Sequence, residues 1–102
     1  MFDFQTARKC ISKDIKDSVK LNPNQYGALV SWAFNVGCGN SGSSTLIKRL
    51  NKGDSPNTVA AEELPRWNKG DNGALPGLTR RRAAEVKLFK TAASGVAHPP
   101  SC

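Results

Sequence analysis

Residues 21–39 have the sequence LNPNQYGALVSWAFNVGCG, which predicts one helix together with both of its end signals. Asn22 is a good N-cap residue, and Pro23 suits the first helical position. Gly37 is predicted to end the helix as a left-handed residue. Between these signals, apolar residues recur at helical spacing and predict one buried face: Ala28, Leu29, Trp32, Ala33 and Val36.

The segments on either side of this stretch predict one longer helix before it and a loop after it. Residues 2–19 are predicted to form the first helix, since apolar residues recur there every three or four positions: Phe4, Ala7, Ile11, Ile15 and Val19. Residues 37–43 are rich in Gly and Ser and are predicted to be a loop.

Two short helices are predicted next, each with its own start signal. Ser44 can cap a helix from Thr45 to about Asn51, which Gly53 ends. The pair Ser55-Pro56 repeats the pattern of a cap followed by proline, and Pro65 is predicted to stop this helix. Its predicted buried face consists of Val59, Ala60 and Leu64.

The last third of the chain predicts a loop, a helix and a tail. Residues 69–77 are rich in Gly, Asn and Asp, and Asn72-Gly73 suits a hairpin turn, but no alternating strands flank it, so a loop is favoured. A final helix is predicted from Gly77 to about Ala93, with Ala84 and Leu88 on its apolar face and Phe89 beside them. The fold class is therefore all-α, with about five helices in a domain over residues 1–93 and a flexible tail over 94–102.

Composition narrows the classes of protein. The 102 residues are 38% hydrophobic and 23% charged, which suits one globular domain. No apolar run is long enough for a transmembrane segment. With three Cys and one His, and no metal-type spacing among them, neither a metal site nor a cofactor is expected. The net charge of +7 favours nucleic acid, acidic membranes or acidic cell-wall polymers, but no nucleic-acid reading motif occurs, so nucleic acid is not an expected partner.

The acidic residues offer no clear general acid of the kind that a glycosidase needs. Glu62 suits that role only if it is buried, and a solvated helix face is the simpler interpretation. Glu85 follows Arg81 by four residues, which is the spacing of a structural ion pair on a helix.

The arginine run and the tryptophans give further expectations. The run 80–82 spans about 300° of a helix, so one arginine must point toward the core or a neighbouring helix.

Trp32 is predicted to lie in the hydrophobic core. Trp67 could stack on a sugar ring or lock the following loop against the core, and the core role is favoured.

Three strings together carry a specific resemblance: residues 21–39, SSTLIKRLNKGD (43–54) and EELPRWNKGDNGALPGLTRRRAAEVKLF (62–89). In order and spacing they resemble the C-terminal lobe of phage-type lysozymes, glycoside hydrolase family 24. The form NVGCG, with Cys10 upstream, is similar to the secreted fungal branch. The resemblance covers roughly residues 4–91.

The resemblance implies an activity and also a missing part. Lysozymes of this family cleave peptidoglycan between N-acetylmuramic acid and N-acetylglucosamine, in a cleft between two lobes. Their catalytic glutamate, aspartate and threonine belong to the N-terminal lobe, and the strings that carry them, E-G and T-x-G-x-G-H, do not occur here. We therefore expect that the N-terminal catalytic lobe is absent from this chain and that the chain holds no catalytic residue.

The resemblance also assigns candidate binding residues. Phe34 and Asn35 are expected at the floor of the cleft, where Asn35 could hydrogen-bond an acetamido group or a stem peptide. Arg81 and the loop that ends at Pro76 are expected nearer its rim. The alternatives are core packing for Phe34 and a loop cap for Asn35.

The same resemblance brings Cys10 and Cys38 together as a disulfide. Cys102, in the tail, is then expected to stay free or to pair between molecules. The alternative is three reduced thiols in a cytosolic protein.

Three functions remain open at this point. The first is that the chain is part of a lysozyme. The second is a non-catalytic module that binds peptidoglycan or a related aminosugar polymer such as chitin. The third is a cationic antimicrobial protein that acts on anionic bacterial surfaces. The resemblance implies an extracellular location, although residues 1–4 do not begin a secretory signal. The first function includes the expectation that the chain is a fragment or a truncated gene model.

Overall fold

The order of elements confirms an all-α fold. The computed structural model describes residues 4–16, 18–67, 69–70, 73–74, 76–95 and 97. Within them lie six α-helices, a 3-10 helix and two strands of two residues each. The helices are α1 (Phe4–Asp14), α2 (Pro23–Val36), α3 (Cys38–Gly42), α4 (Thr45–Lys52), α5 (Pro56–Glu63) and α6 (Pro76–Lys90), with the 3-10 helix at Leu64–Trp67 and the strands β1 at Lys69–Gly70 and β2 at Gly73–Ala74.

Helix α2 lies at the centre and packs against α1, α3 and α6. Its start is a capping box: Asn22 Oδ1 accepts from the Gln25 N–H at 2.8 Å, and Gln25 Oε1 accepts from the Asn22 N–H at 2.9 Å. The other helices contribute apolar side chains around it, and this shared core fixes their positions. The buried hydrophobic residues outside α2 are Ala7, Ile11, Ile15, Val19, Leu21, Leu46, Ile47, Leu50, Val59, Ala60, Leu64 and Phe89.

The first helix is shorter than the predicted range 2–19, since it ends at Asp14. A side chain from α4 ends it there. Asn51 Oδ1 accepts from the Lys16 N–H at 2.8 Å, and Asn51 Nδ2 donates to the Asp14 carbonyl at 2.9 Å. These two bonds occupy backbone groups that one more helical turn would need, although Ile15 and Val19 are still buried as predicted.

The segment after α2 corrects two expectations. Residues 38–42 form the short helix α3 and not a loop. Gly37 does have a positive φ of 92°, but its ψ of 151° is extended, so it is not a left-handed cap. Gly37 turns the chain directly from one helix into the next, and its carbonyl accepts from the Ser41 N–H at 2.9 Å. Only glycine enters this backbone region readily.

Helices α4 and α5 follow their predicted start signals closely. Ser44 Oγ accepts from the Ile47 N–H at 3.2 Å, and Gly53 ends α4 in the left-handed region at φ 103°. Pro56 begins α5 as predicted, but the Ser55 side chain makes no cap hydrogen bond. Helix α5 ends at Glu63, and the chain then tightens into a 3-10 helix that includes Pro65.

The predicted loop over residues 69–77 contains a small antiparallel hairpin instead. Lys69 pairs with Ala74 and Gly70 pairs with Gly73. Asp71 and Asn72, between the two strands in sequence, lie outside the described residues. Strands of two residues are too short to show the alternation that predicts a strand, so the Asn-Gly signal alone does not predict this hairpin.

Helix α6 runs from Pro76 to Lys90, close to its predicted bounds, but its buried face was predicted only in part, since Phe89 is buried while Ala84 and Leu88 are not. Ala84 is exposed, and Leu88 is 40% exposed. The buried face consists of Arg82, Glu85 and Phe89. A buried ion pair therefore occupies positions at which an apolar pattern would have been expected.

Beyond α6 the structure describes residues 91–95 and 97, so most of the predicted tail over 94–102 lies outside the described residues. The Ala97 N–H donates to the Leu21 carbonyl at 2.7 Å, which holds that point of the chain beside the start of α2.

Cys10 and Cys38 form a disulfide in the structure, with their Cα atoms 5.9 Å apart. It joins α1 to the start of α3. We expect the double variant Cys10→Ser/Cys38→Ser to lower the free energy of unfolding by about 3–4 kcal/mol, because the loop closed by the bond spans 28 positions. Urea unfolding measures this loss, and Cys102→Ser is the control that leaves the bond intact. Three free thiols in the denatured, non-reduced protein would contradict the bond, whereas one agrees with it.

Candidate functional site

A groove of about 450 Å³ lies where the end of α2 meets α3, the 3-10 helix and the start of α6. Each of these four elements contributes to its wall, and a 14-residue helix anchored in the core holds one side of it. The lining residues are Asn35, Val36, Asn40, Arg66, Trp67 and Leu78. This lining combines two amides, one guanidinium group, one large aromatic ring and two aliphatic side chains.

Trp67 connects the groove to the core. Its ring meets the buried Trp32 ring edge-on, with centroids 5.8 Å apart and an interplanar angle of 68°. Trp67 is only half-buried and lines the groove, so the two predicted roles are not exclusive. The contact with Trp32 fixes the position of a ring that can pack against an apolar sugar face.

The polar groups of the groove lie at its surface. Asn40 donates from Nδ2 to the Val36 carbonyl at 2.7 Å, which joins α3 to the end of α2. Asn35 is exposed, and its amide has no hydrogen-bond partner in the described part of the chain. Arg66 lies 3.9 Å from a Glu63 carboxylate oxygen and is otherwise open to solvent. Asn35 and Arg66 can therefore bind a ligand without first losing a strong internal contact.

Two of the other residues that the resemblance assigned to binding, Phe34 and Arg81, lie elsewhere. Phe34 is half-buried and packs against the core. Arg81 is half-buried on α6 and donates to the Ser31 carbonyl at 3.2 Å. Pro76 is the first residue of α6, and nothing is described of its side chain. Asn35 lines the groove, whereas Phe34 and Arg81 are not among its described lining residues.

Sequence reasoning missed several lining residues: Val36, Asn40, Arg66 and Leu78. Asn40 was assigned to a loop because of the glycines around it, whereas α3 places it beside Asn35. Val36 was counted only as a core residue. For Arg66, its place directly before Trp67 was a usable signal. Leu78 carried none, since an isolated leucine near a helix start is compatible with any packing.

The glutamates around α4 and α5 are tied to Arg49. This guanidinium group contacts Asp54 at 3.0 Å, Glu62 at 2.7 Å and Glu63 at 3.1 Å. The three carboxylates, Asp54 most strongly, raise the pKa of Arg49 above its usual range. Glu62 is 58% exposed, as the solvated interpretation predicted. None of these carboxylates lines the groove, as far as its described residues show.

The arginine run behaves as its geometry predicted, because one member is buried. Arg82 is 1% exposed and contacts Glu85 through Nε at 2.7 Å and through Nη2 at 3.0 Å. Burial lowers the pKa of Arg82, and the neighbouring Glu85 opposes that shift. Arg81 also contacts Glu85 at 3.3 Å, and Ser31 Oγ donates to the same carboxylate at 2.7 Å. Glu85 therefore joins α2 to α6 and is bound on several sides, so it is a structural group.

The described ranges show neither a metal-type cluster nor a membrane-spanning helix. There, no group of three or more His, Cys, Asp or Glu side chains is placed to hold a metal ion. The helices in the same ranges are also too short or too polar to cross a membrane.

The sequence of residues 1–85 matches the model of the family described as phage lysozyme. The chain belongs to the phage lysozyme family. Among its relatives, an endolysin of Bacillus phage PZA is 44% identical over 89 residues, which cover 87% of this chain and 33% of the endolysin. An endolysin of Acyrthosiphon pisum secondary endosymbiont phage 1 is 44% identical over 78 residues, covering 72% of this chain and 52% of the relative.

A solved structure supports the same fold for this lysozyme-family chain. The muramidase domain of SpmX from Asticaccaulis excentricus superimposes with a TM-score of 0.78 and is 35% identical, over 89% of this chain and 62% of that one. The chain thus spans one third to about one half of the length of the two endolysins, and about three fifths of the muramidase domain.

Proposed function

We propose that this chain is the substrate-binding lobe of a peptidoglycan hydrolase and that its groove binds the aminosugar strand. The observation that carries this proposal is the composition of the groove. The Asn35 amide, which has no partner among the described residues, suits an acetamido group; the ring of Trp67 suits a sugar face, and the cationic Arg66 suits an acidic stem peptide. Membership of the lysozyme family adds the reaction, cleavage between N-acetylmuramic acid and N-acetylglucosamine.

The proposal includes the finer statements that the resemblance suggested. The chain as given corresponds to the C-terminal lobe, and what supports this is the resemblance of its three strings, residues 21–39, 43–54 and 62–89, to that lobe. The fungal branch is supported by NVGCG and by the Cys10–Cys38 disulfide that joins it to α1. A disulfide also suits an extracellular location, where oxidising conditions preserve it. Antibacterial action would then follow from wall breakdown in the whole protein.

We expect Asn35→Ala to weaken binding of a disaccharide-peptide fragment of peptidoglycan by about three- to tenfold, the effect of losing one hydrogen bond. Titration of labelled chain followed by NMR measures the dissociation constant and shows which residues shift. Asn57→Ala, on α5 and outside the groove, is the matched control and should leave the affinity within about twofold. Equal losses in both variants, or shifts that avoid the groove, would contradict the proposal.

A non-catalytic binding module is the second candidate. The lack of a carboxylate among the described residues that line the groove favours this module. Chitin oligosaccharides separate the two because they lack the lactyl and peptide groups. If Arg66 contacts the acidic stem, the peptidoglycan fragment binds more tightly than chitin of equal sugar length. Equal affinity for both would favour a general aminosugar module.

A further inference from the structure

A second groove, of about 460 Å³, lies between α1 and α2. It is lined by Gln5, Arg8, Lys9, Ser12, Tyr26 and Ala97. We propose that this groove binds phosphodiester groups of a polyol-phosphate polymer, the class of anionic polymer found in bacterial cell walls. The proposal rests on the proposed function only in that it places the chain at a cell wall.

The four lining residues of α1 form one stripe. Gln5, Arg8, Lys9 and Ser12 stand at relative positions 0, 3, 4 and 7, which share one face of a helix. Opposite them, the Tyr26 hydroxyl lies 2.8 Å from Ser12 Oγ and donates to the Arg8 carbonyl at 3.1 Å. These bonds fix two hydroxyl groups on the wall of the groove beside the two cations.

The two cations of this groove are free to bind an anion. Arg8 and Lys9 are exposed, and neither forms an ion pair with any residue that the structure describes. Arginines elsewhere differ, because Arg49 and Arg82 are each bound to carboxylates of the chain. Nothing described in the groove therefore competes with an incoming oxyanion for these two charges.

The chemistry of the lining favours a phosphodiester. Its non-bridging oxygens can be shared between the guanidinium fork of Arg8 and the ammonium group of Lys9, in charge-assisted hydrogen bonds. The hydroxyls of Ser12 and Tyr26 and the amide of Gln5 suit the free hydroxyls of a polyol. The Tyr26 ring offers an apolar surface to its carbon chain.

This groove is separate from the first one. Tyr26 and Asn35, which line the two grooves, are nine residues apart on α2. That spacing places them about 14 Å apart along the axis and on opposite sides of the helix. A polymer bound here would leave the aminosugar groove open, and it would hold the chain at the wall through a second, independent contact.

The test uses purified polyglycerol phosphate and calorimetric titration with the chain 1–102. We expect Arg8→Gln/Lys9→Gln to weaken binding about tenfold, the effect of removing charge-assisted bonds. Lys48→Gln/Lys52→Gln, which removes the same charge from the exposed face of α4, should change it by about twofold or less. Gln is a good helix former, so circular dichroism should show unchanged helix content in all variants.

Equal losses in the two double variants would overturn the proposal, since general charge attraction would then suffice. Tighter binding to phosphatidylglycerol vesicles than to the polymer, with the same dependence on Arg8 and Lys9, would also overturn it in favour of a lipid surface. Cell-wall sacculi stripped of phosphate polymer separate this proposal from the first one. Stripped sacculi contain the aminosugar strand without the phosphate polymer, so failure of the chain to bind them would count against the aminosugar groove. Failure to bind polyglycerol phosphate would count only against the second groove.

Discussion

Replacing Glu85 with Ala is expected to lower the free energy of unfolding by about 3–5 kcal/mol. The substitution leaves the buried Arg82 guanidinium group without its carboxylate partner, and Arg82 is 1% exposed. It also removes the acceptor of the Ser31 hydroxyl, which joins α2 to α6. Since small domains have free energies of unfolding of about 5–15 kcal/mol, a loss of this size removes a large part of the stability. Urea unfolding followed by tryptophan fluorescence measures it.

Glu62→Ala is the matched control for this experiment. Glu62 also contacts an arginine closely, at 2.7 Å from Arg49, but it is 58% exposed. An exposed pair of this kind contributes about 0–1 kcal/mol, so the control should remain close to the native protein. Equal losses for the two variants would show that burial does not set the strength of the Arg82–Glu85 pair.

The double variant Arg82→Met/Glu85→Leu refines the same expectation. Replacing both charges with apolar side chains removes the buried ions together, and such replacements are often neutral or stabilising. Arg82 Nη1 is buried without a hydrogen-bond partner in the described part of the chain, and methionine removes that unsatisfied donor. We expect the double variant to be at least about 2 kcal/mol more stable than Glu85→Ala.

The second large effect concerns catalysis. We expect the chain 1–102 to release reducing ends from peptidoglycan at less than about one hundredth of the rate of a full-length phage endolysin. A general acid alone contributes about 10²- to 10⁴-fold to the rate. The three described glutamates are each paired with an arginine, Glu62 and Glu63 with Arg49 and Glu85 with Arg82. A reducing-sugar assay with matched protein concentrations measures the rates.

A rate near that of the full-length relative would contradict this expectation. The acid would then be sought among Glu62, Glu63 and Glu85, by replacing each with Gln and repeating the assay. Binding by the same preparation to peptidoglycan shows that it is folded, so a missing activity cannot be assigned to denatured protein.

Local signals in the sequence predicted the helix starts well. Helices begin directly after Asn22, Ser44 and Ser55 as expected, because start signals lie within one turn, although the Ser55 side chain itself makes no cap hydrogen bond. The end of α1 was not predictable in this way. It depends on Asn51, whose contact with Asp14 spans 37 positions of sequence. On α6, the run 80–82 predicted one core-facing arginine, but not that Arg82 is that residue or that Glu85 is buried with it, since neither carries an apolar pattern.

The candidate site was predictable only in part. The resemblance placed Asn35 in a cleft, and the structure places its side chain in the groove. Arg66 and Leu78 reach the same groove through the 3-10 helix and the start of α6, and their approach is a property of packing between distant segments. The second groove was not predictable from the sequence, because Arg8 and Lys9 have the pattern of the solvated side of an amphipathic helix.

The contact of Asn51 with the end of α1 also has a consequence for the order in which the protein acquires its shape. A ribosome makes the chain from its N-terminus, so Lys16 is made 35 positions before the side chain that binds its N–H. Until then, the apolar repeat through Val19 favours continued helix. We therefore expect the nascent chain to start with a longer α1, which shortens when α4 docks. Asn51→Ala should lengthen that helix and speed unfolding more than it slows folding.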